Sequence, residues 1–173
     1  GYQAQLPVLL AEYTFRTEKD ITDYLILCSQ VEQVFDDILE FERRKSAQGL
    51  FMADFVADDI IQQMQDFIAS PDDNYMIAVF NDKIDAFTDL TDEQRANYKK
   101  QNYAIITASL IPAYQTLIDG LTELKGTGRN PGGLCYFEDG DEYYEYLVKA
   151  NTGSSKSIRQ LKKKTEDFIY ASL

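Results

Sequence analysis

The strongest constraint in this chain is one unbroken helical pattern running from Thr91 to Lys125. Thr91 with Gln94 three residues later forms a capping box, and apolar side chains then recur at three- and four-residue spacing with no loop signal until Gly126. Such a run makes a helix about 50 Å long at 1.5 Å per residue, long enough to act as the spine around which the rest must pack. Pro112 lies inside it, where it removes one backbone donor and crowds the carbonyl of Ala108, so a kink is expected there.

The surrounding sequence repeats the same period. Thr17 with Asp20 opens a helix whose apolar face reads Ile21, Tyr24, Leu25, Cys28, Val31, Phe35, Ile38 and Leu39, running on to Glu42. Arg43, Arg44 and Lys45 complement the dipole at its end, and Gly49 stops it. A second helix spans about Asp54 to Ala69, with Ile60, Ile61, Met64, Phe67 and Ile68 inward. Ser70-Pro71 followed by Asp72-Asp73 reads as the start of the next, with Met76, Val79, Phe80, Ile84 and Phe87 buried. The fold class is therefore all-α: an antiparallel helical array around a long Pro-kinked helix, with at most one short extended element near residues 134–137.

Residues 1–16 have no clear period and Pro7 interrupts an apolar run, so an extended lead-in is expected there. Residues 17–125 form an acidic helical body, 126–133 (Gly-Thr-Gly-Arg-Asn-Pro-Gly-Gly) a glycine-rich loop, and 134–173 a Tyr-rich turn with C-terminal helices, the whole reading as one domain. Asn151-Thr152-Gly153 closes the Tyr-rich helix, and Ser154 or Ser155 is expected to cap the last one, with Ile158, Leu161, Phe168 and Ile169 as its apolar positions. The chain opens Gly1-Tyr2-Gln3, without an initiator methionine or a signal pattern, which reads as a trimmed piece of a longer protein.

Composition narrows function mainly by exclusion. The 173 residues include no histidine, so serine or cysteine triads, histidine zinc sites and Glu-x-x-His di-iron sites have no imidazole to use. With 17 basic and 29 acidic side chains, the net charge of −12 repels phosphate backbones and anionic lipid, which argues against a nucleic-acid partner. No segment reaches the roughly 18 uninterrupted apolar residues of a membrane span. Lys156, Arg159, Lys162, Lys163 and Lys164 form a short basic run, most simply a solvated helix face. Cys28 and Cys135 both read as small buried hydrophobes. They could pair once, but their spacing matches no zinc or redox motif.

Candidate chemistry is sparse. Gly126-x-Gly128-x-x-x-Gly132 lacks the strand, helix start and Gly-Lys-Ser/Thr that phosphate loops require, and it reads as a turned connection. The window Asp82 to Glu93 puts Ile84 and Ala86 where a calcium loop needs oxygen ligands. Acid pairs such as Asp36-Asp37, Asp58-Asp59 and Asp72-Asp73 read as solvated faces and caps. Paired carboxylates need only a separation in space, so the sequence names no pair among its acids. Tyr143, Tyr144 and Tyr146 supply more than one aromatic face to a single helix, one for packing and another free for a cleft or partner.

Several segments carry a family resemblance: Phe35-Asp36-Asp37-Ile38-Leu39-Glu40, Gly49-Leu50-Phe51-Met52, Ile111-Pro112-Ala113-Tyr114, Gly132-Gly133-Leu134, Gly140-x-x-Tyr143-Tyr144-x-x-Leu147-Val148 and Thr152-Gly153. Over most of residues 10–170 the chain resembles the middle region of the bacterial domain-of-unknown-function family eight-eight-five, which is similar to helical zinc metallopeptidases. That resemblance implies a longer protein whose zinc would be held by a His-Glu-x-x-Pro-Gly-His type motif outside this chain. It assigns no catalytic or metal residue here and no cofactor to this chain, zinc belonging to the full-length protein. What it implies for these residues is a noncatalytic helical wall beside a substrate groove. Arg129, Tyr143 and Tyr144 are the candidate contacts to a peptide-like substrate, and Pro112, Gly132, Gly133 and Gly140 are structural. The implied partners are the remainder of the full-length protein and, through an exposed apolar seam prone to self-association, a second copy. The alternative is a free-standing helical interaction module whose acidic face or tyrosine helix binds a protein.

Overall fold

A computed structural model describes residues 1–172, which are helical throughout apart from turns and short loops. The chain divides into two compact units, residues 1–129 and 130–173.

The first unit is built on the long helix, α6 (Asp92–Ile105) and α7 (Ile111–Leu124), joined without a loop by a π-helical turn at Ile106–Leu110. The irregularity expected from Pro112 thus falls on its N-terminal side. Pro112 has no N–H for the carbonyl of Ala108, and the backbone widens so that the Ile111 amide reaches back to Ile106. Among the described residues this is the one helix long and apolar enough to cross a membrane by length and composition. Here Ile106, Leu110, Tyr114, Leu117, Ile118 and Leu121 place its apolar stripe in the core.

Two further helices line this spine: α2 (Glu18–Ser29) packs on α6, and α3 (Val31–Ala47) on α7. The single helix expected from Thr17 is therefore two. The Gln30 amide closes a tight turn on the Leu27 carbonyl while Ser29 Oγ bonds back to Ile26 at 2.7 Å, and the ladder restarts at Val31. The break directs Tyr24 onto Phe80 (5.3 Å between ring centroids, stacked) and Phe35 onto Tyr114 (4.7 Å, edge-on). At Gly120 the side chain of Leu39 lies where a Cβ would sit, so glycine permits the close approach of α3 and α7.

On the other flank, α4 (Asp54–Ile68) runs antiparallel to α7, with Asp58 paired to Lys125 and Phe67 against Tyr114. Pro71–Asp73 makes only a 3₁₀ turn, and α5 (Tyr75–Ala86) begins after it. Asn74, rather than Ser70, is the cap. Its buried side chain accepts from the Met76 amide at 3.1 Å and donates to the Phe67 carbonyl at 3.0 Å, satisfying the end of one helix and the start of the next. Arg95 of α6 donates to the carbonyls of Ile84, Asp85 and Leu90 where α5 ends.

The lead-in expected to be extended is instead helix α1 (Tyr2–Glu12), with Pro7 inside it. Pro7 cannot donate to the carbonyl of Gln3, and that carbonyl is taken by the Tyr114 hydroxyl at 2.6 Å, so a long-range bond replaces the missing local one. At the other end of α1, Lys83 donates to the carbonyls of Ala11 and Tyr13 and lies over the Phe15 ring.

The second unit contains a 3₁₀ turn at Leu134–Tyr136, α8 (Gly140–Thr152) and α9 (Ile158–Ala171). The extended element allowed for residues 134–137 is this turn. Ser157, not Ser154 or Ser155, caps α9: Ser157 Oγ accepts from the Gln160 amide at 3.4 Å and Gln160 Oε1 accepts from the Ser157 amide at 3.0 Å. Of the apolar positions read on α9, Phe168 is 73% exposed and Ile169 52%, while Ile158 and Leu161 are half-buried.

Candidate functional site

The candidate surface of the second unit grows from the turn before α8. Asn130 is buried, its Oδ1 accepting from the Gly132 amide at 2.8 Å and its Nδ2 donating to the Gly133 carbonyl at 3.0 Å, so one side chain pins the loop. The amides of Tyr136, Phe137 and Gly140 then close successive turns onto Gly133, Leu134 and Phe137. Asp139 takes a left-handed conformation (φ 57°) to turn the chain into α8, whose first-turn acids Asp141 and Glu142 complement the helix dipole. Gly140 sits directly beneath the Leu134 carbonyl, where an added Cβ would come within 1.7 Å of the oxygen.

This scaffold displays Tyr143, Tyr144 and Tyr146, all exposed. Tyr143 and Tyr146 are one helical turn apart and stack with ring centroids at 6.2 Å and planes 23° apart, while Tyr144 lies about 100° further round the helix. Tyr136, also exposed, covers Gly132 with its ring. The patch is broad, aromatic and edged by acids. It can stack on or flank a ligand.

Arg129 belongs to the first unit. Its amide donates to the Gly49 carbonyl at 2.9 Å, and its side-chain stem lies across Gly49, which needs its positive φ of 73° to end α3. The guanidinium makes no ion pair among the described residues. The three candidate contacts are thus divided, Arg129 in one unit and the tyrosine pair in the other. Of the structural residues, Gly140 is sterically required because a Cβ would meet backbone, Gly132 meets only the ring of exposed Tyr136, which can swing away, Gly133 would meet open space with a Cβ, and Pro112 is exposed beside the π turn. Sequence reasoning passed over Asn130, and it grouped Tyr146 with Tyr143 and Tyr144 without pairing it to Tyr143. The signal for Asn130 was Asn-Pro-Gly-Gly, an Asn placed to bond backbone two residues on.

Burial pushes the Cys28 thiol up to about 11 and raises Tyr24 one helical turn away. Tyr98 donates to Glu18 at 2.7 Å and is pushed up to about 12, first by that bond. Cys135, expected to be buried, is exposed, and both thiols are free. The first unit has shallow clefts, one of about 130 Å³ lined by Gln3, Pro7, Gln63, Phe67, Tyr75 and Tyr114. Among the described residues no three His, Cys, Asp or Glu side chains converge as metal ligands.

The described residues are all-helical, and their second unit displays exposed tyrosines on α8. The chain belongs to the family described as bacterial protein of unknown function (DUF885), whose pattern it matches over residues 1–169. It is similar, at 23% identity and a TM-score of 0.89, to a crystal structure of "the putative lipoprotein from Colwellia psychrerythraea", a likeness of fold. The match covers 99% of this chain and 30% of that one, so the chain spans under a third of that relative's length. No curated protein matches it.

Proposed function

We propose that this chain is a noncatalytic helical subdomain of a longer zinc peptidase-like hydrolase, forming part of the substrate-cleft wall, with the metal site outside these residues. One observation carries the reading: between residues 130 and 172 only Asn130 and Gly140 are buried, and no apolar side chain is. A helical unit of that size gains its stability by covering apolar surface. Its stripe on α9 and its tyrosines on α8 are surfaces offered to something else. In this reading α8 faces the cleft. Tyr143 and Tyr144 contact apolar and backbone groups of a peptide-like substrate, and Arg129, taken by itself in the first unit, is a separate candidate cation for a substrate carboxylate.

The experiment uses the complete reading frame and a panel of peptide substrates. Tyr143→Ala/Tyr144→Ala should raise KM about tenfold with kcat within about threefold, because binding contacts shared by substrate and transition state affect KM alone. Arg129→Ala should act in the same direction for substrates with a free carboxylate. Peptide hydrolysis by the isolated chain at an enzyme-like rate, or unchanged KM in both variants, would overturn the proposal.

A further inference from the structure

α9 has a sharply divided surface that its own unit covers only in part: Ile158 and Leu161 are half-buried, while Phe168 and Ile169 are exposed. In heptad terms Ile158 and Leu161 occupy a and d, Thr165 and Phe168 the next a and d, and Ile169 widens the stripe at e. None of these residues is buried. Lys162 (e) and Lys164 (g) line the two edges of the first heptad, both exposed. Lys162 has only a long contact, 3.9 Å, to Glu166, and Lys164 has no acidic partner among the described residues.

Three occupants are compatible with an apolar helix face, and the charges separate them. A second copy would set one lysine-edged stripe against another, with no acid at e or g to meet them. A membrane surface suits a continuous apolar face, whereas this seam carries Thr165 at its centre, and Glu166 and Asp167 lie on the polar side, where anionic lipid would repel them. An acidic amphipathic helix satisfies both the stripe and its edges. The solved relative has more than twice as much chain outside the matched region as within it, enough to carry such a helix.

We infer that α9 is a docking helix for an acidic amphipathic helix on the remainder of the longer family protein, packed along Ile158, Leu161, Thr165 and Phe168 with carboxylates against Lys162 and Lys164. This rests on the chain being a subdomain, but its test does not involve catalysis, so the two can fail separately. The probes are two labelled synthetic helices about three heptads long with Leu at a and d, one with Glu and one with Lys at e and g, titrated against the present chain. The Glu peptide should bind at least about tenfold more tightly than the Lys peptide. Lys162→Glu/Lys164→Glu, which alters only exposed side chains, should invert that order, and Leu161→Glu/Phe168→Glu should abolish binding of both. Equal binding, no binding, or a preference unchanged by charge reversal would overturn the inference. So would self-association removed by Leu161→Glu/Phe168→Glu, which assigns the stripe to a second copy. Tighter capture by vesicles of phosphatidylcholine with phosphatidylglycerol than by the Glu peptide would assign it to a membrane and overturn it equally.

Discussion

Replacing Tyr114 with alanine should cost the first unit about 4 kcal/mol, seen as a fall in the urea midpoint at unchanged slope. The ring is 1% exposed and packs between Phe35 at 4.7 Å and Phe67 at 4.6 Å, so truncation leaves a cavity at the meeting of α3, α4 and α7. The hydroxyl has a separate role. It satisfies the Gln3 carbonyl that Pro7 leaves without a helical partner, so Tyr114→Phe alone should cost about 1–2 kcal/mol. Pro7→Ala restores an N–H that can reach Gln3, and in the Tyr114→Phe background it should recover about 1 kcal/mol of that loss. Strict additivity of the two changes would show that the hydroxyl does not stand in for the missing backbone bond.

Gly140→Ala should have the largest effect in the second unit. A Cβ within 1.7 Å of the Leu134 carbonyl oxygen and 2.7 Å of its carbon meets backbone that no rotamer can relieve, so the turn and the first turn of α8 must separate. The cost is at least about 3 kcal/mol, and this unit has no buried apolar side chain to offset it. Limited proteolysis should cut the variant readily between residues 130 and 152 while the first unit keeps its unfolding midpoint. Gly133→Ala, whose Cβ meets open space, is the control and should behave as wild type. A resistant Gly140→Ala variant would show that the turn has another conformation available.

The all-helical class and most of the helices were legible because they depend on local chemistry. The capping boxes at Thr17/Asp20 and Thr91/Gln94 are present as their sequences imply, and nearly all of the stripe from Ile21 to Leu39 is buried. What was not legible depends on partners far along the chain. α1 tolerates Pro7 because Tyr114, over a hundred residues away, supplies the missing donor. Its C-terminus and that of α5 are closed by Lys83 and Arg95 from other helices. The division at Gln30 has no Gly or Pro to announce it. Periodicity marked the apolar positions of α9, but a period says which side chains share a face and not what covers them, so the exposure of Phe168 and Ile169 was not legible. For the candidate site, aromatic content marked Tyr143 and Tyr144, whereas the pin supplied by Asn130 and the stack with Tyr146 needed coordinates.

The central claim is that residues 130–172 present surface to further protein. Amide hydrogen exchange on α8 and α9, compared between the present chain and the complete reading frame, tests it most directly. The account predicts that protection of both helices rises at least about tenfold in the complete protein while the core of the first unit is unchanged. Equal protection of α8 and α9 in the two would contradict it.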